Sequence, residues 1–359
     1  MIKSITLSNF MAHSKLTVAD IPTINLIIGK NDSGKTGLLK LLYSVVKTLE
    51  NYSRINKHSE VSFSSELSMK LQNTFMPRFN GLGDLVQKGS SEKLKVELSI
   101  EGLSNNYQQN IYFSFGDRTE KKIPDCNNHI KSIPNDSMNA IFIPAKEVLT
   151  AFSDIRIIRD QKYGIGFDDT YLDLIKSLDI PVTKGSVGND LSSINRILER
   201  LFDGKIEQTG KQEQPFIFKK GNQKFSIQQT AEGIKKIGIL TTLITNRQLG
   251  KGTILFMDEP ETALHPDAVR QMVEILVAMS KAGVQVFLAT HSYFVIKQLA
   301  NSSKKENIDT LLWGLERENG KSVTCNFKYI NDGVLPPNSI IDEAVRMYED
   351  EINFELNDI

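Results

Sequence analysis

Gly29-Lys30-Asn31-Asp32-Ser33-Gly34-Lys35-Thr36 is a complete Gly-x-x-x-x-Gly-Lys-Thr loop. The mostly apolar run Ile24 to Ile28 precedes it, and Leu38, Leu39, Leu41 and Leu42 follow at helical spacing. Buried strand, glycine-rich turn and helix N-terminus are the setting in which this octapeptide holds a triphosphate. The N–H groups of the turn and the positive end of the helix dipole then converge on an anion. Gly29, Asn31, Asp32, Ser33 and Gly34 are expected to form the cradle. Lys35 is expected at the β- and γ-phosphates, and the Thr36 hydroxyl on Mg²⁺.

A second constellation lies far downstream. Ile254-Leu255-Phe256-Met257-Asp258-Glu259-Pro260 is an apolar strand ending in paired carboxylates. Asp258, at the strand end, is expected to hold Mg²⁺ with Thr36. Glu259 is expected to polarise the water that attacks the γ-phosphate, a general-base role in which reach comes before pKa. Glu261-Thr262-Ala263-Leu264-His265-Pro266 connects to the next helix, and the following strand ends in Leu288-Ala289-Thr290-His291-Ser292. A histidine at a strand C-terminus, His291, is placed to donate to the γ-phosphate.

These motifs together resemble the ABC-type ATPases. Ile5-Thr6-Leu7-Ser8-Asn9-Phe10 and Ile143-Pro144-Ala145-Lys146-Glu147 narrow the resemblance to the OLD-like branch, related to the heads of the structural-maintenance-of-chromosomes (SMC) ATPases. Within that branch the chain resembles the stand-alone ATPases of bacterial anti-phage defence operons, such as the Septu ATPase subunit. The resemblance implies a P-loop NTPase of ABC type: an α/β fold with a mixed central sheet flanked by helices, a helical lobe and an inserted segment. It implies ATP and Mg²⁺ as ligands, and a homodimer or higher even oligomer in which a signature segment of one subunit caps ATP on the other. The matching segment is Thr230-Ala231-Glu232-Gly233-Ile234-Lys235-Lys236, so Gly233 and Ala231 are expected to act in trans. Ala231 stands where the family's pattern has a serine, which leaves Thr230 or Lys235 to replace that hydroxyl. Glu147 is the candidate for the family's lid glutamine.

Around these motifs the chain reads as one ATPase domain over 1–305, with 44–139 inserted, 146–227 a helical lobe and hairpin, and 306–359 a C-terminal extension. Strands are expected near 2–10, 16–18, 94–100, 111–115 and 140–143, the last closed by Pro144. Helical periodicity appears at Leu172, Leu174, Ile175 and Leu178, and again at Leu191, Ile194, Ile197, Leu198 and Leu201. A hairpin is expected over 206–227 and a helix over 228–249. Two strands, 253–257 and 284–289, flank a helix over 267–283.

Composition narrows the function classes. The 359 residues carry 43 basic and 43 acidic side chains, so the chain is not built as a polycation. Cys126 and Cys325 are isolated, as expected of a reduced chain without structural zinc. The opening Met1-Ile2-Lys3-Ser4-Ile5 alternates like a strand, and no apolar run approaches the roughly 20 residues of a membrane helix. A cytoplasmic protein without membrane contact is expected.

Residues 200–252 hold ten Lys or Arg against four acids, which reads either as a solvated face or as a nucleic-acid contact. Asp342 to Ile359 holds seven acids and one arginine. A stripe of Ile341, Ala344, Val345, Tyr348 and Ile352 predicts an amphipathic helix there, docked on the body or on a partner. No heptads occupy the interval between Thr36 and Thr230, and 68 residues follow His291. Neither a long coiled coil nor an appended nuclease domain is expected. The resulting expectation is an ATP-hydrolysing dimeric switch that controls a separately encoded effector, a nuclease, in anti-phage defence. The alternatives are a DNA-repair type ATPase that binds DNA directly and an ATP-stabilised scaffold with little turnover.

Overall fold

The computed structural model describes the chain except residues 56–60, 80, 103–106, 128–129, 131–137, 161–165, 182–193, 198, 200–203, 211–214, 318–322, 337 and 358–359. Strands β1 (Ile2–Phe10) and β2 (His13–Val18) pair antiparallel, and β3 (Ile24–Gly29) runs into the phosphate loop. The loop opens α1 (Lys35–Ile55), beside which α2 (Phe63–Phe75) packs. Strands β4 (Leu94–Glu101), β5 (Gln108–Phe115), β6 (Asp125–Cys126) and β7 (Asn139–Ile143) precede α3 (Phe152–Asp160) and α4 (Asp169–Asp179). A separate small sheet holds β8 (Lys205–Gln208), β9 (Phe216–Lys220) and β10 (Gln223–Ser226). The chain continues through α5 (Glu232–Thr245), β11 (Thr253–Asp258), α6 (Pro266–Lys281), β12 (Gln285–Thr290) and α7 (Tyr293–Glu306). It then forms β13 (Thr310–Arg317), β14 (Val323–Tyr329) and α8 (Ser339–Asn357).

The main sheet has eleven described strands in the order β6-β5-β4-β1-β2-β14-β13-β3-β12-β11-β7. One half, from β13 through β3, β12 and β11 to β7, is parallel; the other half is dominated by antiparallel pairs. The difference is visible in the side chains. Every residue of β3, β11 and β12 is buried, as strands covered on both faces must be. By contrast, β4 alternates Leu94, Val96, Leu98 and Ile100 inward with Lys95 and Glu97 exposed. Along β3, Ile27 packs in the layer that contains α1, whereas Ile24, Leu26 and Ile28 pack in the layer of α5, α6 and α7.

Several elements depart from the sequence reading. Residues 44–55 continue α1, and the 94–115 hairpin pairs with β1, so the 44–139 stretch supplies part of the central sheet. Beyond 306, β13 pairs in parallel with β3 and lies inside the sheet, with β14 beside it. A lone strand buried between neighbours gives no alternating pattern, and the Gly314 within it breaks the apolar run further. The helix expected over 228–249 spans only Glu232–Thr245, because Ile227–Gln229 winds as a separate 3₁₀ turn. The amphipathic helix expected near the C-terminus forms as α8, with Ile341 and Ala344 of its stripe half-buried and Val345, Tyr348 and Ile352 exposed. Of the residues expected to show helical periodicity, 191, 198 and 201 lie outside the described residues. No described helix is long and apolar enough to cross a membrane.

Polar groups in the core tie distant segments together. The Gln285 side-chain amide donates to the carbonyls of Ile2 and Pro22, while its oxygen accepts from the Ile2 N–H. The Trp313 indole donates to Asn25 Oδ1 at 3.2 Å, joining β13 to β3. Three helices meet at a buried ionic cluster. Lys70 on α2 donates to Asp169 at 3.0 Å and to Asp173, both on α4, and the Tyr43 hydroxyl on α1 donates to Asp173 at 2.7 Å. Burial by itself would raise the Asp173 carboxyl, but Lys70, Lys47 and Lys176 outweigh it and hold it at about 2.

Lys70→Met strands the buried Asp173 carboxylate and the half-buried Asp169 carboxylate and is expected to lower unfolding free energy by about 3–5 kcal/mol. Lys88→Ala, on an exposed pair with Asp84, is expected to change it by no more than about 1 kcal/mol. Denaturant titration at neutral pH checks both. The Asp173 carboxyl lies below its unfolded value of about 3.9. Its contribution is therefore complete above about pH 4 and is lost as the pH falls toward 2. The Lys70→Met deficit should accordingly shrink over that window.

Candidate nucleotide-binding site

The phosphate loop closes on itself at the end of β3. The Ser33 N–H donates to the Lys30 carbonyl at 3.2 Å, and the first helical bond of α1 runs from the Leu38 N–H to the Gly34 carbonyl at 2.9 Å. Gly29 has no room for a side chain, since a Cβ there would lie 2.5 Å from the Leu315 carbonyl oxygen. Gly34 adopts φ +83°, and a Cβ on it would stand 2.6 Å from His13 Nε2. Asn31 and Asp32 are exposed at the tip, where Asp32 accepts from Arg317 at 2.8 Å. The Ser33 hydroxyl is buried with no protein partner. Lys35 bends back, donating to the carbonyls of Gly29 at 2.8 Å and Lys30 at 3.0 Å. Burial lowers the Lys35 pKa, opposed by the charges of Glu259, Asp258 and Glu261.

The second constellation reaches the loop because β11 and β12 run parallel to β3 and end on the same edge. The Thr36 hydroxyl donates to both carboxylate oxygens of Asp258, at 2.9 and 3.1 Å, across 222 positions of sequence. Burial raises the Asp258 pKa, and the Thr36 hydrogen bond works against that rise. Glu259 adopts φ +46°, its N–H donates to the Ala289 carbonyl at 2.8 Å, and its Oε1 lies 3.2 Å from His291 Nδ1. Nε2 is then the His291 nitrogen left to face a phosphate. The loop, Thr36, Asp258, Glu259 and His291 thus come together in one chain.

The arrangement fits a bound triphosphate and Mg²⁺. The buried, unpartnered Ser33 oxygen and the side-chain-free surfaces of Gly29 and Gly34 leave a cradle for phosphate oxygens. One hydroxyl and one carboxylate, Thr36 and Asp258, are the few protein ligands Mg²⁺ takes when phosphates and water supply the rest.

The segment expected to act in trans stands apart from this chain's own loop. Ala231 is the exposed N-cap of α5 and makes no side-chain cap bond. Gly233 packs on the connector after Glu259, where a Cβ would lie 2.9 Å from Leu264 Cδ2 and 3.0 Å from the Ala263 carbonyl oxygen. The two residues offered in place of the serine are engaged elsewhere. The Thr230 hydroxyl donates to the Ser226 carbonyl at 2.9 Å, and Lys235 is buried against Thr150 and Glu232. Glu147 accepts from the N–H groups of Leu149 and Thr150, so it caps a turn in place of reaching the loop as a lid residue.

Comparison with known proteins gives the family and the fold. Residues 97–297, more than half of the chain, match the family described as AAA domain, putative AbiEii toxin, Type IV TA system. The chain belongs to this AAA-domain family. Residues 1–172 of this AAA-domain protein also match an AAA ATPase domain family. A stretch of 52 residues is 44% identical to the Old nuclease of Escherichia phage P2, covering 14% of this chain and 9% of that protein. The chain therefore spans less than a tenth of the length of that curated relative.

Among solved structures, the SMC head bound to the C-winged helix domain of ScpA superimposes with TM-score 0.55 at 14% identity, over 91% of this chain and 97% of that one. An SMC head with an extended coiled coil, bound to the C-terminal domain of ScpA derived from Pyrococcus furiosus, gives TM-score 0.52 at 13% identity, over 97% and 98%. The fold is that of an SMC-type ATPase head.

Four residues at the site escape sequence reading. His13 lies buried beneath the loop, stacked on Phe10, with Nε2 3.4 Å from the Gly34 carbonyl oxygen. Glu261 accepts from the Thr290 hydroxyl, which accepts in turn from the Ser292 N–H at 2.9 Å. Arg317 arrives from β13, and Lys236 donates to the Glu259 carbonyl at 2.8 Å. Two of them left a signal: Glu261, the carboxylate repeated two positions after Glu259, and Lys236, the last residue of the segment expected to act in trans.

The basic run also changes meaning. Lys235 and Lys236 are buried and Lys205 pairs with Glu207 at 2.6 Å, so fewer cations face solvent than the count implies. Residues 200 and 211 of that run lie outside the described residues. A cavity of about 730 Å³ lined by Phe152, Arg156, Lys205, Gln208 and Phe216 shares no residue with the phosphate loop.

Gly34→Ala combines a left-handed backbone with a contact on His13 and is expected to cost about 1–3 kcal/mol. Gly89→Ala carries a similar φ of +80° with nothing within 4 Å and should cost less. Denaturation without nucleotide compares the two, and His13→Ala should recover part of the Gly34→Ala loss.

Proposed function

We propose that this protein is an ATP-hydrolysing dimeric switch controlling a separately encoded effector, a nuclease, in anti-phage defence. The observation that carries the ATPase reading is the convergence of Thr36 with Asp258, and of Glu259 with His291, beside the phosphate loop. In this reading Lys35 leaves the carbonyls of Gly29 and Lys30 for the β- and γ-phosphates. Glu259 takes a proton from the attacking water while the bond from the γ-phosphorus to its bridging oxygen breaks, releasing ADP and phosphate. His291 orients the Glu259 carboxylate through Nδ1 and faces the γ-phosphate through Nε2. Thr36 and Asp258 would hold Mg²⁺, which would supply neutralisation of charge on the phosphate oxygens. Gly29, Asn31, Asp32, Ser33 and Gly34 position the phosphates.

The dimeric part rests on α5. Its N-terminus, with Ala231 exposed, offers backbone N–H groups to a nucleotide held by a second copy. ATP then favours the closed pair and hydrolysis reopens it, a two-state element able to gate a partner. Three similarities support the effector and the defence role: the putative-toxin description of the family, the short match to a phage nuclease, and the ScpA domains bound to similar heads. They are in line with the resemblance to defence ATPases such as the Septu subunit. A second reading, an ATP-stabilised scaffold with little turnover, is favoured by one observation: Ala231 supplies no hydroxyl at the cap.

Lys35→Ala should abolish ATP binding in equilibrium titration, and unchanged affinity would overturn the phosphate-loop assignment. Glu259→Gln should bind ATP normally, accumulate as closed dimer by light scattering, and lose about 10²- to 10⁴-fold in turnover. Ala231→Ser should add an N-cap bond worth about 0.5–2 kcal/mol to α5. The same substitution should raise ATP-dependent dimerisation and turnover. A stability gain with neither effect would remove Ala231 from the nucleotide cap.

A further inference from the structure

Lys236 lies on the second turn of α5 and is 3% exposed, a setting that an ammonium group tolerates only with a strong partner. Its Nζ donates at 2.8 Å to the main-chain carbonyl of Glu259. The carbonyl chosen belongs to the residue whose carboxylate faces His291.

Glu259 needs such support. At φ +46° it occupies the left-handed region, a conformation costing a residue with a side chain roughly 1–3 kcal/mol unless its surroundings impose it. Contacts on every polar group of the residue impose it here. The Ala289 carbonyl at the end of β12 accepts from the Glu259 N–H, His291 and the Thr262 hydroxyl meet the carboxylate, and the carbonyl accepts from both the Thr262 N–H at 3.2 Å and the shorter Lys236 contact at 2.8 Å. With the peptide planes on both sides held, the side chain can leave the backbone in one direction only.

The Lys236 contact differs from the others in its origin. Ala289 and His291 belong to the β12 edge that builds this chain's own site, whereas Lys236 comes from the helix whose first turn carries Ala231 and Gly233. Gly233 touches the Ala263-Leu264 connector just beyond Glu259, so α5 grips the Glu259 segment at two points one turn apart.

We propose that Lys236 is a positioning residue for the water-activating carboxylate: its ammonium locks the Glu259 main chain in the conformation that turns the carboxylate toward the nucleotide, and it ties that conformation to α5. The proposal rests on the ATPase reading and deepens it. Any displacement of α5, including one imposed by a nucleotide bound to a second copy, is then felt at Glu259 through a hydrogen bond and a direct packing contact.

The test compares Lys236→Met and Lys236→Arg with the unchanged full-length chain, measuring equilibrium ATP affinity and single-turnover hydrolysis separately. Lys236→Met should keep ATP affinity within about twofold and lose about 100-fold in rate, the scale of misplacing a reacting group by about 1 Å. Lys236→Arg, which keeps a cationic donor, should recover a large part of that loss. Because Lys236 acts through Glu259, Lys236→Met in a Glu259→Gln background should slow hydrolysis no further.

An unchanged rate in Lys236→Met, additive losses in the double variant, or equal losses of affinity and rate would each overturn the positioning role. Where Lys236→Met does not fold, Lys236→Gln is read by the same criteria. Absence of ATP turnover in the unchanged chain would instead overturn the functional reading beneath the proposal, a result separable from the variant data.

Discussion

The backbone pairing of β3 on both of its edges is the constraint from which the site follows. Ile24 to Ile28 hydrogen-bonds in parallel to β12 on one side, and Ile24 to Gly29 to β13 on the other. Parallel neighbours end at the same edge of a sheet, and that edge is where open α/β folds place their ligands. Gly29 therefore begins the phosphate loop beside Thr290, the last residue of β12, with Asp258 one strand further on. The strands lie about 4.8 Å apart, so the Thr36 hydroxyl has only two strand spacings to cross to Asp258. The core on both faces of β3 holds this geometry: α1 covers one side, and α5, α6 and α7 the other.

At that edge, burial and charge act against one another. Removal from water disfavours both the Lys35 ammonium and the Asp258 carboxylate, and their mutual attraction only partly offsets the effect. Lys236 meets the same conflict, its ammonium disfavoured by burial and favoured by Glu261, Glu259 and Asp258. Charges gathered at such cost to folding are the mark of a site shaped for chemistry more than for stability. The cluster of Lys70, Asp169, Asp173 and Tyr43 is of another kind. It faces no phosphate loop and joins α1, α2 and α4, so its role is to fix the helical segment against the nucleotide-binding helix.

How much was legible depended on how local each signal is. The phosphate loop is eight contiguous residues, and Asp258, Glu259 and His291 each follow an apolar strand, so their places at the strand ends can be read from short windows. β13 could not be read that way. Thr310–Arg317 owes its strand conformation to β3, far away in sequence, and to β14, which begins at Val323. His13 and Arg317 reach the loop only through the pairing of β2, β14, β13 and β3, and nothing beside them in sequence announces it. Thr230 and Lys235 show the opposite error: both have suitable chemistry in the right segment, and both are already engaged by Ser226, Thr150 and Glu232.

The sequence by itself determined that a glycine-rich phosphate-type loop follows a buried strand, that carboxylates end another such strand, and that the fold is an α/β sheet with helices on both sides. Those properties follow from contiguous residue types, because a glycine turn and an apolar strand ending in acids carry their physical meaning locally. Tertiary structure alone decided which side chains hold those groups in place. The lysine on the Glu259 carbonyl, the histidine beneath Gly34 and the strand between β14 and β3 each depend on contacts across tens to hundreds of residues, distances over which sequence pattern carries no geometry. The placement of α5 follows the same rule. Its first turn looks outward as an expected nucleotide cap, while its second turn reaches inward to Glu259, and only the folded chain brings that helix against the Glu259 to Leu264 segment.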